Sequence, residues 1–458
     1  MFYRGRLLRL PSVALQLVEH SKAPASAKQR QRKHDWFWYT AIVAILLQGG
    51  LLFLALFAPG LPYLVGNAGG DPLNSDRFLN TLSALTNAQY AEGTKLEVLT
   101  NGEVYYPAEL AAIRSAQTSI HLEAYIFTKS QIADEFLAAM EERARAGVKV
   151  RLVADAIGSH SLPGDAIEKL RAAGGKFAWY MPLLWYTWPR LNNRTHREIL
   201  VVDGRVAFIG GSGWADHWIR PEDKEKERWR DTMVKVEGPA VTGIQSVFTE
   251  NWLESGGELL TGHAVFPFPP PAGDSRALMV RSSPTTGRSS PARVLFQTLL
   301  ASASRRIYIT TPYFLPDKSL TDELVRAVRQ RKVEVKILTP GPGTDHMLTR
   351  RSSRRLFGPL LEAGAHIYEY QPAMIHAKIL LIDSQWAVVG TTNMDARSFT
   401  LNDEINLATP DPRVAQRLGE DFERDLGRSR EVTLEEWKHR GIAERLHEMF
   451  GGLVQRQE

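Results

Sequence analysis

Three rhythms of apolar and polar residues divide this chain. Near the N-terminus, from Trp36 to Gly70, no residue carries a charge. Within that stretch WFWYTAIVAILLQGGLLFLALFAPG offers about 20 mostly apolar residues, enough for one helical crossing of a bilayer. Trp36, Trp38 and Tyr39 at its start have the amphipathic rings of an interfacial belt, and Pro59 and Pro62 close it. Farther on, short β-branched runs alternate with segments whose apolar residues recur every three or four positions. These are the signatures of strands and of amphipathic helices.

Strand and helix patterns recur in one order, twice. A helix, ELAAIRSAQ or ARVLFQTLLASA, precedes an apolar strand, SIHLEAYIF or RIYITTPYF. A helix follows, ADEFLAAMEERARAG or LTDELVRAVRQRK, then a strand, VKVRLVADAIGS or VEVKILTPGPGTD, then a helix ending in Gly, IEKLRAAGG or FGPLLEAGA. This predicts an α/β fold of two similar lobes, each a mixed β-sheet flanked by helices, forming a pseudo-twofold pair, plus an N-terminal transmembrane helix. The expected divisions are a basic tail, 1–35, the transmembrane helix, 36–58, and a linker, 59–93. Lobe 1 follows at 94–266, a Pro-rich linker at 267–290, lobe 2 at 291–430 and a C-terminal helical tail at 431–458.

Each lobe contains a hairpin segment with candidate chemistry, THREILVVDGRVAFIGGSGWAD in the first and IHAKILLIDSQWAVVGTTNMDAR in the second. They are in register: 376 − 196 = 180 for the His, 383 − 203 = 180 for the Asp and 390 − 210 = 180 for the Gly. The second reads H-x-K-x-x-x-x-D, with His376, Lys378 and Asp383. The first reads H-x-E-x-x-x-x-D, with His196, Glu198 and Asp203. On a strand, residues two apart share a face, so His376 and Lys378 project together, as do His196 and Glu198. Asp383 and Asp203 have the opposite parity and stand where the chain turns; Asp203-Gly204 is a hairpin-turn dipeptide. Each Asp therefore reads first as an organiser of the turn. The Gly-rich turns that follow, GGSGWAD and GTTNMD, offer small residues and amides suited to phosphate oxygens.

Composition narrows the partners. The 458 residues are 44% hydrophobic and 23% charged, which excludes a polytopic membrane protein. The net charge of +5 favours anionic partners. With no Cys, disulfides, thiol nucleophiles and Cys-ligated zinc are excluded. GPGTD at 341–345 lacks the Lys-Ser/Thr of a nucleotide-binding loop. In TRRSSRR, the pairs Arg350/Arg354 and Arg351/Arg355 would give a helix one basic face, either merely solvated or a surface for anionic headgroups. A cleaved signal peptide is disfavoured, because a long basic tail precedes the apolar run. That tail holds eight basic residues against Glu19 and Asp35, and the first charges beyond the span are Asp71, Asp76 and Arg77. The positive-inside rule then places a single-pass protein in the cell membrane with its large domain extracytoplasmic.

The paired H-x-K/E-x-x-x-x-D motifs, with G-T-T-N after the second, resemble the phospholipase D superfamily. HLEAYIF at 121–127, WRDTMVKVEGPAV at 229–241, YITTPYFLPD at 308–317 and LNDEINL at 401–407 are similar to its cardiolipin synthase branch. The resemblance implies that one His attacks phosphorus while the other protonates the departing alcohol, with Lys and Asn holding the non-bridging oxygens and no metal or other cofactor. It carries His376, Lys378, Asp383, His196 and Asp203 over as catalytic. Candidate substrate contacts are Asn393, Thr392, Ser212, Glu198 and Glu404. The implied partners are a membrane and a phospholipid substrate, phosphatidylglycerol or of cardiolipin type, and not nucleic acid. The oligomeric state stays open. Glu198 stands where the motif has Lys, and Gly213 where the second copy has Asn393. A working site rearranged around Glu198, which would raise the basicity of one His or pair with an Arg such as Arg194 or Arg197, is one reading. A phosphodiesterase that hydrolyses phospholipid, a nuclease of the same superfamily and a catalytically impaired lipid-binding relative are the alternatives.

Overall fold

A computed structural model describes residues 27–57, 63–65, 70–88, 90–185, 187, 190–221, 227–284 and 289–441. The chain divides into two compact units, Met1–Pro59 and Gly60–Glu458. In the first, the expected span lies in a helix, Ala27–Phe57, whose described aromatic and aliphatic side chains from Trp36 to Leu51 are largely exposed. Among the described residues no helix is long and apolar enough to cross a membrane, so the expected transmembrane helix at 36–58 rests on the sequence alone. Residues 1–26 of the basic tail and 442–458 of the C-terminal tail lie outside the described residues.

The second unit is built on one long mixed sheet. Its strands in the first half are β1 Tyr90–Thr100, β2 Ser119–Ala124, β3 Lys149–Asp155, β4 Lys176–Tyr180, β5 Arg194–Thr195, β6 Ile199–Val202, β7 Val206–Gly210 and β8 Thr232–Glu237. The second half supplies β9 Ser275–Ser282, β10 Arg306–Thr310, β11 Glu334–Pro340, β12 His366–Tyr370, β13 Ile379–Ile382, β14 Trp386–Gly390, β15 Asn402–Thr409 and β16 Ser429–Val432. The order is β16-β12-β11-β10-β13-β14-β15-β9-β1-β8-β7-β6-β2-β3-β4, with β5 pairing β15 off the path. Apart from β16 at one edge, each half repeats the other outward from β9 and β1. In each, three parallel strands, β2-β3-β4 or β10-β11-β12, adjoin an antiparallel hairpin, β6-β7 or β13-β14. The expected Pro-rich linker is in part structural, since β9 lies within it and joins β1 to β15.

Both faces of the hairpin strands are covered, which explains their near-continuous apolar sequence. Leu200 and Val202 pack into a core with the helix Gln131–Arg145, while Ile199 and Val201 pack on the other face with residues of the second half such as Tyr308 and Ile379. The helices start at conventional caps: Ser130, Ser290 and Asp317 each accept a hydrogen bond from an amide in the following turn. The burial of Ile132, Ala133, Phe136, Leu137 and Met140 on Gln131–Arg145 follows the predicted helical spacing.

Candidate functional site

The two histidines stand at the starts of equivalent hairpins, and each is held by the opposite half. The His196 amide donates to the Asp403 carbonyl at 2.9 Å, where β5 runs parallel to β15. The His376 amide donates to the Arg230 carbonyl at 2.7 Å, beside the bridge between Arg230 and Ile375. The acidic residue that follows each of these carbonyls binds the imidazole. His196 Nδ1 lies 3.0 Å from Glu404 Oε1, and His376 Nδ1 lies 2.9 Å from Asp231 Oδ2. The arrangement is reciprocal by number as well: 404 − 231 = 173 and 403 − 230 = 173.

A carboxylate at Nδ1 fixes the ring's tautomer with the proton on Nδ1, leaving Nε2 for chemistry. Both carboxylates are buried, as Glu404 is wholly so and Asp231 lies beneath Trp218, whose Nε1 donates to Asp231 Oδ2 at 3.0 Å. Burial raises the Asp231 carboxyl, but its hydrogen bond to His376 and the charges of His376 and Lys378 outweigh this and hold it below its ordinary value. Trp218 and Trp229 flank the His376 ring at 5.5 Å, and Tyr125 lies edge-on to His196 at 5.4 Å. Lys378 Nζ lies 2.9 and 3.0 Å from the two ring nitrogens of His376 and donates to its carbonyl at 2.7 Å. Burial and the neighbouring Lys378 lower the His376 pKa against the pull of Asp231, which favours the neutral ring. Burial likewise lowers the Lys378 ammonium to about 8, against the pull of Asp231, Glu404 and Glu198. A neutral imidazole beside a cation, with a second imidazole backed by its own carboxylate, can attack a phosphorus atom and move one proton.

The family described as "Cardiolipin synthase, PLD-like domain" matches residues 110–252 and 296–426. The chain belongs to this family. Relatives from it include cardiolipin synthase 1 of Bacillus cereus, 34% identical over 397 residues, covering 84% of this chain and 77% of that protein. The probable cardiolipin synthase YwiE of Bacillus subtilis is 33% identical over 382 residues, covering 83% of this chain and 75% of the relative. The fold is similar to that of phosphatidylserine synthase from Haemophilus influenzae, with a TM-score of 0.63 at 13% identity over 84% of this chain and all of that one. The cardiolipin synthase family's two-lobed phospholipase D-like fold is therefore present here, and both hairpins lie within the matched segments.

Asp203 and Asp383 are not at the histidines. Each sits in the turn at the far end of its hairpin and accepts from three successive backbone amides, 117–119 or 304–306, at 2.7–3.1 Å. They clamp the loop entering β2 or β10, the turn-organising role that their parity suggests. Glu404, a candidate substrate contact, is held by His196 and the Thr391 hydroxyl. Asp231 was missed; the signal for it was an acidic residue opening the strand after each Gly-rich turn. Thr392 accepts from Asn406 Nδ2 at 2.7 Å, and Ser212 donates to the Gly213 carbonyl at 3.0 Å. Asn393 is buried, and its Oδ1 has no hydrogen-bond partner among the described residues.

Glu198 does not pair with an arginine. Arg197 bonds Asp403 and Glu250, and Arg194 bonds Asp155. Glu198 Oε1 instead accepts the Ile126 amide at 3.0 Å. Burial pushes its carboxyl well above the usual range, opposed by that amide and by the charge of Lys378. The Arg350/Arg354 face is likewise not a free basic surface, because both guanidiniums bond the buried Glu369 at 2.9 Å.

Proposed function

We propose that this protein is a phosphatidyltransferase of the phospholipase D superfamily that joins two phospholipids into a cardiolipin-type product. The observation that carries the reading is the reciprocal pairing: each half's histidine is oriented by the other half's carboxylate, so neither half holds a complete site. A two-step displacement at one phosphorus needs both imidazoles, one as nucleophile and one as proton carrier.

Neutral His376 is the nucleophile. Its Nε2 attacks the phosphorus of a phosphatidyl donor and the P–O bond to the leaving alcohol breaks. That alcohol takes its proton from His196, leaving a phosphohistidine. His196 then accepts the proton of an incoming lipid hydroxyl as that oxygen attacks phosphorus and the P–N bond breaks. Lys378 and Asn393 bind the non-bridging oxygens. Water in place of the second lipid gives hydrolysis by the same route. The substrate is phosphatidylglycerol or a related anionic phospholipid, and residues 36–58 anchor the enzyme in the membrane where that substrate resides.

Purified protein in detergent, given radiolabelled phosphatidylglycerol, should yield a labelled cardiolipin-type lipid and free glycerol. His376→Ala should abolish both products. Labelled phosphatidic acid without the dimeric lipid would establish the hydrolase instead. Binding without any product would establish a lipid-binding scaffold.

A further inference from the structure

The repeat supplies its two phosphate ligands unequally. In the second half Lys378 and Asn393 occupy the motif positions; in the first half Glu198 and Gly213 do. These two departures form one packed unit. A Cβ at Gly213 would lie 2.3 Å from the Ile126 carbonyl oxygen, 2.8 Å from Ile126 Cβ and 3.1 Å from Glu198 Oε1, so no Asn fits there. The Ile126 carbonyl accepts the Trp214 amide at 2.7 Å, and the Ile126 amide donates to Glu198 at 3.0 Å. The loop after β2 is thus drawn against the Gly-rich turn. The Tyr125 amide also acts on the Glu198 carboxyl, and in the second half the residue in its place is Pro312, which has no N–H (Phe127 and Phe314 make equivalent bridges, 314 − 127 = 187, and 312 − 125 = 187). An ammonium at 198 would face the Ile126 amide, donor against donor, whereas a carboxyl accepts it.

Glu198 is 3% exposed and one of its oxygens, Oε2, has no hydrogen-bond partner among the described residues. An unpartnered buried polar atom is costly unless something bound satisfies it. Its place in the repeat is that of Lys378, whose Nζ lies at the His376 ring. We propose that the Oε2 hydroxyl of Glu198 donates a hydrogen bond to a non-bridging oxygen of the bound phosphodiester, serving in the first half as the ligand that the Lys378 ammonium is in the second. This rests on the phosphodiester reading of the site. Burial favours the protonated carboxyl that such a donor requires. The site then presents one ammonium and one neutral acid to the phosphate. The negative charge developing on phosphorus meets a hydrogen-bond donor at Glu198 rather than a second ion.

The test compares Glu198→Gln with Glu198→Met in the full-length protein. The readouts are turnover of bis(p-nitrophenyl) phosphate, binding of inorganic vanadate, and thermal unfolding. Gln keeps both an acceptor for Ile126 and a donor for phosphate; Met keeps only the volume. Glu198→Gln should retain kcat and vanadate affinity within about threefold. Glu198→Met should lose about 100-fold in kcat, the scale of removing one donor from a developing oxyanion, with KM little changed. The carboxyl C=O stretch of Glu198, absent from the Gln variant, should shift when vanadate binds. The inference fails if Gln is as impaired as Met, which would make the negative charge the working feature. It fails equally if Met lowers only the unfolding temperature, which would make the side chain a cap for Ile126. A wild-type protein that neither cleaves the diester nor binds vanadate would overturn the underlying function instead, and is distinguished by that result alone.

Discussion

At the scale of single residues, the site depends on carboxylates matched to imidazoles across the two halves. Asp231 accepts from His376, Trp218 and its own neighbour Thr232, so its charge is fully bonded and aimed. Asp231→Asn keeps the shape but offers an amide to Nδ1, which no longer selects the tautomer with Nε2 free. Turnover should fall by about 100-fold or more with the fold intact, as for carboxylates that orient a catalytic imidazole. Comparing kcat with the circular dichroism melt checks this; equal loss in both would reduce Asp231 to a packing residue. Lys378 sets a second expectation. Its folded pKa, lowered mainly by burial to about 8, means that the ammonium proposed to bind phosphate loses its proton as pH rises through that value. The initial rate should therefore decline above pH about 8 and hold below it until the nucleophile His376 protonates. A rate still flat at pH 9.5 would place the positive charge elsewhere.

At the scale of elements, the hairpins show what sequence does and does not reveal. The strands, their parity and the turn positions of Asp203 and Asp383 were legible, because apolar alternation and the Asp-Gly dipeptide are local signals. The turns require positive φ at both central residues, 54° and 61° at Asp203 and Gly204, 54° and 58° at Asp383 and Ser384. Glycine meets this at no steric cost, but Ser384 pays a penalty for its Cβ in the left-handed region. Ser384→Gly should accordingly stabilise the protein by about 0.5–1 kcal/mol, read as a rise in the unfolding midpoint with activity unchanged. An unchanged or lower midpoint would show that the Ser384 side chain holds a contact worth more than the strain. The partner of each histidine was not legible. Asp231 is 145 residues from His376, and Glu404 is 208 from His196. No periodicity within a hairpin encodes a pairing made by the other half. The inward turn of Arg350 and Arg354 was hidden for the same reason, since Glu369 lies on a neighbouring strand.

At the scale of the whole molecule, the orientation across a membrane remains to be tested, and it follows from charge alone. Eight basic residues and two acidic ones precede Trp36, while no Lys or Arg occurs from Trp36 until Arg77. A basic flank resists translocation, so the expected orientation keeps the tail in the cytoplasm and carries the chain beyond residue 58 across. The case for a crossing at 36–58 rests on the sequence: the uncharged run would span roughly 33 Å if helical at 1.5 Å per residue, about the thickness of the hydrocarbon core. A protease added to intact spheroplasts should then degrade the large domain and spare an epitope placed in the tail. The opposite pattern would put the histidine site on the cytoplasmic side, where its lipid substrates would have to be drawn from the inner leaflet. Replacing Arg30, Arg32 and Lys33 by neutral residues distinguishes charge from other determinants. If the basic flank sets the topology, this variant should populate both orientations, and a uniformly outward domain would mean that the fold beyond residue 60 directs its own export.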